Sequence, residues 1–379
     1  MLPFSSPSTS THHHHVLFLN RRDAWRLPLL SLLVFVFLAA PRLTLAQDQT
    51  GTPDAAATPT SDPLTRATDW LIAQQGPDGG FVGFSGGSDP GLTADAVVAL
   101  HAASVRGIDV DAPLTAASGY LLDVAPDVGA SGPGQTAKLI LALVALGIDP
   151  TTLDAGQTDL LASLGTVTPE TGLYGTGVYD HALVLMARAA INLSIDTADI
   201  EALRARQTPD GSWAFDGATS AGAGDSNTTA LVIQALVATG HGTDPLVLAG
   251  LDYLRSLQTD TGGFPFQPGG EVDGNSTSLG LQAIVAVGQD PSTPEWRNAA
   301  AALVAFQNAS GAMRYTNTEP SDNLFATVQA IPALAGVPLP VATVCVPVAD
   351  GAATPVGTPI VALPEPARGA APCIELEAA

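Results

Sequence analysis

The chain has 379 residues, of which 46% are hydrophobic, so it is long enough for one large domain or two ordinary ones with a substantial core. It is strongly acidic: 36 Asp and Glu stand against 14 Lys and Arg, the formal net charge is −22, and Lys138 is the only lysine. Such a surface repels polyanions, which argues against nucleic acids and anionic membrane surfaces as partners.

The N-terminal segment predicts export. Three arginines between positions 21 and 26 precede an apolar run at 27–40, whose 14 residues are too few for a membrane span, which needs about 20. The small residue Ala46 at the end of "TLA" (44–46) predicts cleavage, so that 1–46 is a signal peptide and the mature chain starts at Gln47. We therefore expect a secreted or cell-surface protein with no stable membrane span; an uncleaved N-terminal anchor is the alternative.

Two segments of biased composition flank the central region. Residues 47–62 read as a polar linker, and residues 337–379, rich in Pro, Val and Ala, read as an extended tail. Cys345 and Cys373 both lie in the tail. In an exported protein this pair suggests a disulfide, and its spacing is unlike that of zinc ligands.

The central region, 63–336, contains an internal repeat. A phrase with Gln, a turn glycine and an aromatic recurs, as at 207–215 and 258–266, and a degenerate copy is assigned to 125–135. Its turn glycines lie 39 to 51 residues apart: Gly79, Gly129, Gly172, Gly211, Gly262 and Gly311. Periods of this size indicate stacked supersecondary units.

Two kinds of helix alternate within the repeats. The segment 251–258 is apolar on one face, whereas 230–238 is apolar almost all round. A half-polar helix followed by a wholly apolar one implies an outer and an inner layer. The sequence therefore predicts an all-α fold, an α6/α6 toroid of six helical hairpins with a cavity at its centre.

The repeat also carries a family resemblance. The intact phrase "QTPDGSW" at 207–213 resembles the repeat of squalene and oxidosqualene cyclases. The region is similar to the superfamily of terpenoid cyclases, protein prenyltransferase β-subunits and the helical domain of cobalamin-binding transport proteins. This resemblance implies an α6/α6 toroid over about 270 residues, but it implies little about activity, because the fold hosts both catalysts and binders.

The acid motif of class II triterpene cyclases is altered in this chain. Those enzymes open an inner helix with Asp-x-Asp-Asp-Thr-Ala, in which the middle Asp protonates the substrate. The matching stretch is 225–230, with Asp225 first and Asn227 in place of the proton donor. The next repeat has Asp273 and Asn275. An amide is no Brønsted acid, so this mechanism is disfavoured.

The zinc motif of prenyltransferase β-subunits is altered as well. Its Asp-x-Cys aligns with Asp225 and Asn227, and a later repeat offers Asp322 and Asn323 without the expected His. Zinc sites typically include thiolate or imidazole ligands. We therefore predict no metal and no other cofactor.

Polar residues remain near the starts of the inner helices. Capping of free helical N–H groups explains each of them singly. Together they predict a polar, acidic cavity mouth that could bind a ligand: Asp95, Gln135, Asp180, His181, Asp225, Asn227, Asp273, Asn275, Asp322 and Asn323. Asp180 and His181 most resemble an acid–base pair, but no third member is apparent beside them.

The aromatic residues of the repeats allow two interpretations. They can fill the wedges between hairpins, or they can stack on a sugar or isoprenoid. The residues concerned are Phe81, Phe84, Tyr174, Trp213, Phe215, Phe264, Phe266 and Tyr315.

We expect an exported, non-catalytic toroid that binds a small ligand, a glycan or a surface protein through its cavity or mouth. The alternative is a terpenoid-cyclase-type enzyme with altered acid chemistry. A purely structural extracellular module is a third hypothesis.

Overall fold

In a computed structural model the described residues are 62–83, 85–153 and 158–341, all within one compact unit. The predicted signal peptide, most of the linker, Phe84, Cys345 and Cys373 lie outside them. The described ranges contain helices and no strands: α1 (Pro63–Ile72), α2 (Pro90–Ser104), α3 (Asp111–Gly129), α4 (Pro133–Ala145), α5 (Leu160–Ser163), α6 (Val178–Ala190), α7 (Thr197–Arg206), α8 (Ser226–Ala238), α9 (Pro245–Leu257), α10 (Gly274–Ala286), α11 (Ala299–Val304) and α12 (Leu324–Ala335).

The helices form two concentric layers, as the alternation in the sequence predicts. Each even-numbered helix packs against the next even-numbered one, and α12 packs against α2, which closes an inner ring of six. The odd-numbered helices lie outside, each against an inner helix, and α1 contacts both α12 and α2. The fold is therefore an α/α toroid.

Burial explains the two layers. The inner helix α10 buries nearly every residue, including Leu281 and Ile284, because it is packed on all sides. The outer helix α9 buries Leu254 but leaves Leu248 exposed, since it has one apolar face. None of the helices in the described ranges is long and apolar enough to cross a membrane.

The glutamine of the repeat phrase joins neighbouring repeats. The Gln207 side-chain amide donates to the carbonyl of Gly211 at 2.9 Å and to that of Leu246, in the next outer helix, at 3.0 Å. In the last repeat Gln307 donates to Gly311 and to Pro63, each at 2.8 Å. This last pair ties the final repeat to α1 and so helps to close the ring.

One assignment of the repeat is wrong. Gly129, taken as a turn glycine, is the last residue of α3, and it is absent from the glycines with positive φ. The chain turns instead at Gly132, with φ 119°. Helix α3 continues through 125–129 in spite of Pro126 within it.

The first residues of the expected tail are part of the toroid. The backbone N–H of Leu339 donates to Gln234 Oε1 of α8 at 2.9 Å, and the Val341 side chain is buried. Arg106, just after α2, donates to the carbonyl of Ala335. Residues 337–341 therefore pack against the inner ring, with Leu339 beside the C-terminal half of α8.

Candidate functional site

A cavity lies at the centre of the inner ring. It comprises about 580 Å³ of space not filled by protein atoms, counting the part open to solvent. Every inner helix contributes to its lining, and so does Leu339. The sixth residue of each inner helix forms one layer of the wall: Asp95, Lys138, Leu183, Leu231, Leu279 and Gln329.

An ion pair stands on one side of this layer. Lys138 Nζ lies 2.7 Å from Asp95 Oδ2, and Tyr179 lines the cavity beside them. Burial by itself lowers the pKa of Lys138, but the Asp95 carboxylate outweighs that effect and raises the pKa well above its usual range. Burial raises the pKa of the Tyr179 hydroxyl. Lys138 is thus a protonated, paired side chain and not a nucleophile.

Three side-chain amides stand on another side. Asn275 Nδ2 donates to Gln329 Oε1 at 2.9 Å, and Gln282 Nε2 donates to the Gln329 carbonyl at 2.8 Å. The oxygens Asn275 Oδ1 and Gln282 Oε1 are buried without a hydrogen-bond partner. The rest of the wall is apolar: Val98, Leu141, Leu183, Leu231, Leu279, Val328, Pro332 and Leu339. The cavity is therefore mainly hydrocarbon with two polar groups of side chains.

Three of the predicted mouth residues cap helices. Asp225 accepts from the backbone N–H of Thr228 at 2.7 Å and from its hydroxyl at 2.9 Å, and Asp273 makes the same two contacts to Ser276. Asn323 accepts from the backbone N–H of Ala326. Burial raises the pKa of both Asp225 and Asp273, and these hydrogen bonds offset only part of the effect. Neither carboxylate lines the cavity.

Asn227 and Asn275 are the second residues of α8 and α10, so they occupy equivalent positions in adjacent inner helices. Asn227 is half-buried and accepts from the Ser226 hydroxyl at 3.2 Å. Asn275 reaches the cavity wall through Gln329. Gln135, by contrast, is exposed.

The prediction that Asp95 lies at a helix start is wrong. Helix α2 begins four residues earlier than the pattern suggests, at Pro90, and Asp89 is its cap, accepting from the Leu92 N–H at 2.8 Å. Pro90 is the first residue of the helix, a position that suits proline, so α2 starts there and is longer at its N-terminal end than the pattern suggests. Asp95 therefore lies deeper, in the wall of the cavity.

Asp180 and His181 do not form an acid–base pair. His181 is fully buried: its Nδ1 accepts from the Tyr174 N–H, and its Nε2 donates to the Asp199 carbonyl at 3.0 Å. Burial lowers the pKa of His181, which keeps the ring neutral. Asp180 instead accepts from the Thr176 N–H and hydroxyl. His181 thus faces the outer helix α7 rather than the cavity mouth, because consecutive helical residues point about 100° apart.

Asp322 also lies away from the cavity. Its carboxylate accepts from Asn308 Nδ2 and Ser310 Oγ, each at 2.8 Å, in the turn of the last repeat. Among the residues that the structure describes, no group of three His, Cys, Asp or Glu side chains could hold a metal ion.

The aromatic residues divide into two sets. Trp213 and Phe264 are fully buried wedges, and Trp213 Nε1 donates to the Leu203 carbonyl. Phe215, Phe266 and Tyr315 are exposed.

The exposed set lies at the N-terminal ends of the inner helices. The Phe266 carbonyl accepts from the Ser226 N–H at the start of α8, and the Tyr315 carbonyl accepts from the Gly274 N–H at the start of α10. The second aromatic of each phrase is therefore beside the N-terminal ends of the inner helices.

Four polar residues of the cavity were not predicted: Lys138, Tyr179, Gln282 and Gln329. Lys138, Gln282 and Gln329 each interrupt an apolar run of an inner helix, which is a signal in the sequence, whereas Tyr179 adjoins Asp180 and His181. In the structure Lys138 and Gln329 lie at the level of Asp95, because each is the sixth residue of its inner helix.

No protein-family model and no curated protein matches this chain. Among solved structures, it is similar to the type II terpene cyclase MstE from Scytonema, with a TM-score of 0.54 and 16% identity over 72% of this chain and 96% of that one. It is also similar to a protein from Actinoplanes (TM-score 0.53, 18% identity, 72% and 98% covered) and to a polysaccharide lyase (TM-score 0.50, 12% identity, 73% and 97% covered). The chain therefore shares an α/α-toroid fold with these proteins, and identities this low concern the fold alone.

Proposed function

We propose that this protein is an exported, non-catalytic toroid that binds a small ligand in its central cavity. The observation that carries the proposal is the cavity itself, which all six inner helices line with a mainly apolar wall and a few polar side chains. Concave, largely apolar sites with few polar groups are typical of small-molecule binding.

The positions of the acids support binding without catalysis. Asp225 and Asp273 hold the ends of their own helices and do not line the cavity. Asp95 does line it, but its carboxylate is paired with Lys138. Protonation of an alkene requires an acid that reaches the substrate with a proton to give.

Ligand-dependent stabilisation tests the proposal. The thermal midpoint of residues 47–379 is measured with panels of isoprenoids, corrinoids and glycans, and a cavity ligand raises it according to its affinity. Leu231→Phe, which places a larger side chain in the cavity, should abolish the rise in the thermal midpoint. Leu248→Phe on the exposed face of α9 is the matched control and should retain it. If no compound of the panel stabilises the wild-type protein, cavity binding is wrong.

A second candidate function is catalysis of the terpenoid-cyclase type. It is favoured by the fold shared with MstE and by the raised pKa of the buried Asp225 carboxyl. An enzyme of this kind should convert squalene or a prenyl diphosphate into cyclic products detectable by mass spectrometry, and Asp225→Asn should abolish turnover. Absence of products, or turnover unchanged in the variant, would exclude this role for Asp225.

Export is tested on the expressed full-length chain. N-terminal sequencing of the extracytoplasmic protein should begin at Gln47, because the apolar run at 27–40 is too short to remain as a span. A protein retained in the membrane with an intact N-terminus would support the anchor instead.

A further inference from the structure

Charge is balanced inside the cavity. Of the described residues that line it, only Asp95 and Lys138 carry formal charges, and their side chains neutralise one another at 2.7 Å. A carboxylate or diphosphate ligand would find no unpaired cation there, and an amine would find no unpaired anion. Either would lose its hydration without compensation. The paired charges of the cavity therefore favour a neutral ligand.

Two hydrogen-bond acceptors at the cavity wall are left without a donor. The NH2 groups of Asn275 and Gln282 are both used on Gln329, through its side chain and its carbonyl. Their oxygens, Asn275 Oδ1 and Gln282 Oε1, are buried and have no partner, although Gln282 is one of the residues that line the cavity. Buried acceptors are nearly always satisfied, so a bound molecule that brings a donor would complete this group.

The remainder of the wall is hydrocarbon, as the leucines of α6, α8 and α10 at the central layer illustrate. From these three features we infer that the cavity ligand is a neutral aliphatic alcohol, whose hydroxyl donates to the Gln282–Asn275 amide group and whose hydrocarbon body packs on the leucines. This inference rests on the proposed binding function and specifies its ligand class.

Three probes that differ only at the polar end test the inference. They are 1-decanol, its methyl ether and decanoate, each titrated into residues 47–379 and followed by displacement of a fluorescent apolar dye. Because one hydrogen bond is at stake, decanol should bind on the order of tenfold more tightly than the ether. Decanoate should bind more weakly still.

The variant Gln282→Met retains side-chain length but removes the acceptor, so the ratio between decanol and the ether should fall towards one. Gln267→Met, at an exposed glutamine outside the cavity, is the matched control and should leave the ratio unchanged.

Three outcomes would overturn the inference. If the ether or decanoate binds wild-type protein as tightly as decanol, the ligand class is wrong while cavity binding stands. The same holds if Gln282→Met folds and preserves the wild-type ratio. If none of the three probes displaces the dye, or if the dye itself does not bind, the proposed function fails together with the ligand class. The wild-type comparison does not depend on whether the variant folds.

Discussion

At the scale of single residues, Lys138 occupies an unusual position. The only lysine of a strongly acidic chain lies in the wall of a mainly apolar cavity, held by Asp95. Removal of one member of such a pair leaves the other charge desolvated, whereas removal of both leaves an apolar wall. The pair therefore contributes to stability chiefly by mutual neutralisation.

We predict that Lys138→Met lowers the free energy of unfolding by about 2–3 kcal/mol, less than for a fully buried pair, since solvent reaches part of both side chains. Their exposed fractions are 21% for Lys138 and 36% for Asp95. The double variant Asp95→Leu/Lys138→Met should recover most of this loss in urea unfolding. A double variant as unstable as the single one would show that the pair is not the cause.

The raised pKa of Asp225 predicts that the free energy of unfolding depends on pH. Burial raises its folded-state pKa above the unfolded value, so the folded state binds the proton more tightly. This contribution stabilises the fold below the unfolded pKa of about 3.9 and is lost as pH rises through the folded pKa.

Asparagine retains an acceptor for the Thr228 N–H and does not titrate. We therefore expect the stability of Asp225→Asn relative to wild type to increase from about pH 4 upward and then level off. Urea unfolding at several pH values measures the difference. A difference that decreases with pH would contradict the raised pKa.

At the scale of elements, the repeat phrase connects each repeat to the next outer helix. Gln207 bridges its own turn and the next outer helix, and Gly211 brings the turn against α9. Gly211 has φ +88°, and a Cβ there would lie 2.4 Å from the Ala249 carbonyl oxygen. Glycine is therefore required twice, for the backbone conformation and for the close approach.

Gly211→Ala should lower the free energy of unfolding by about 3 kcal/mol, the sum of left-handed strain and a backbone clash. Gly222 is the matched control, because its φ is +76° but nothing lies within 4 Å of its Cβ position. Gly222→Ala should cost only about 1 kcal/mol. Equal losses in chemical denaturation would mean that the contact with α9 is unimportant.

At the scale of the whole molecule, the ring is completed by residues at both ends of the repeat region. Gln307 reaches Pro63, α12 packs on α2, and the segment 337–341 returns to Gln234 of α8. Leu339 lines the cavity from this segment. The residues after α12 therefore belong to the cavity wall.

Leu339→Ala should lower the unfolding free energy by about 1–2 kcal/mol, less than for a fully buried leucine, because Leu339 is half-buried. Leu248→Ala, at an exposed leucine, should change it by less than about 0.5 kcal/mol. Thermal unfolding of both variants gives the comparison. Equal effects would show that the segment does not stabilise the toroid.

The sequence by itself determined the two layers of helices and the turns that join the repeats. Apolar helices alternate with amphipathic ones, and Gly211 and Gly262 mark turns with positive φ, because periodicity and glycine report local burial and local backbone conformation. The altered acid motif at Asn227 was likewise visible, since it depends on residue identity alone.

Only the tertiary structure decided which polar residues meet. Asp95 and Lys138 belong to different repeats, and Gln329 lies near the far end of the chain, yet one layer of the cavity holds all three. His181 also lies in an inner helix, but its ring turns outward to Asp199. Helical periodicity identifies a buried face, whereas the register between packed helices decides whether that face meets a neighbour or a cavity.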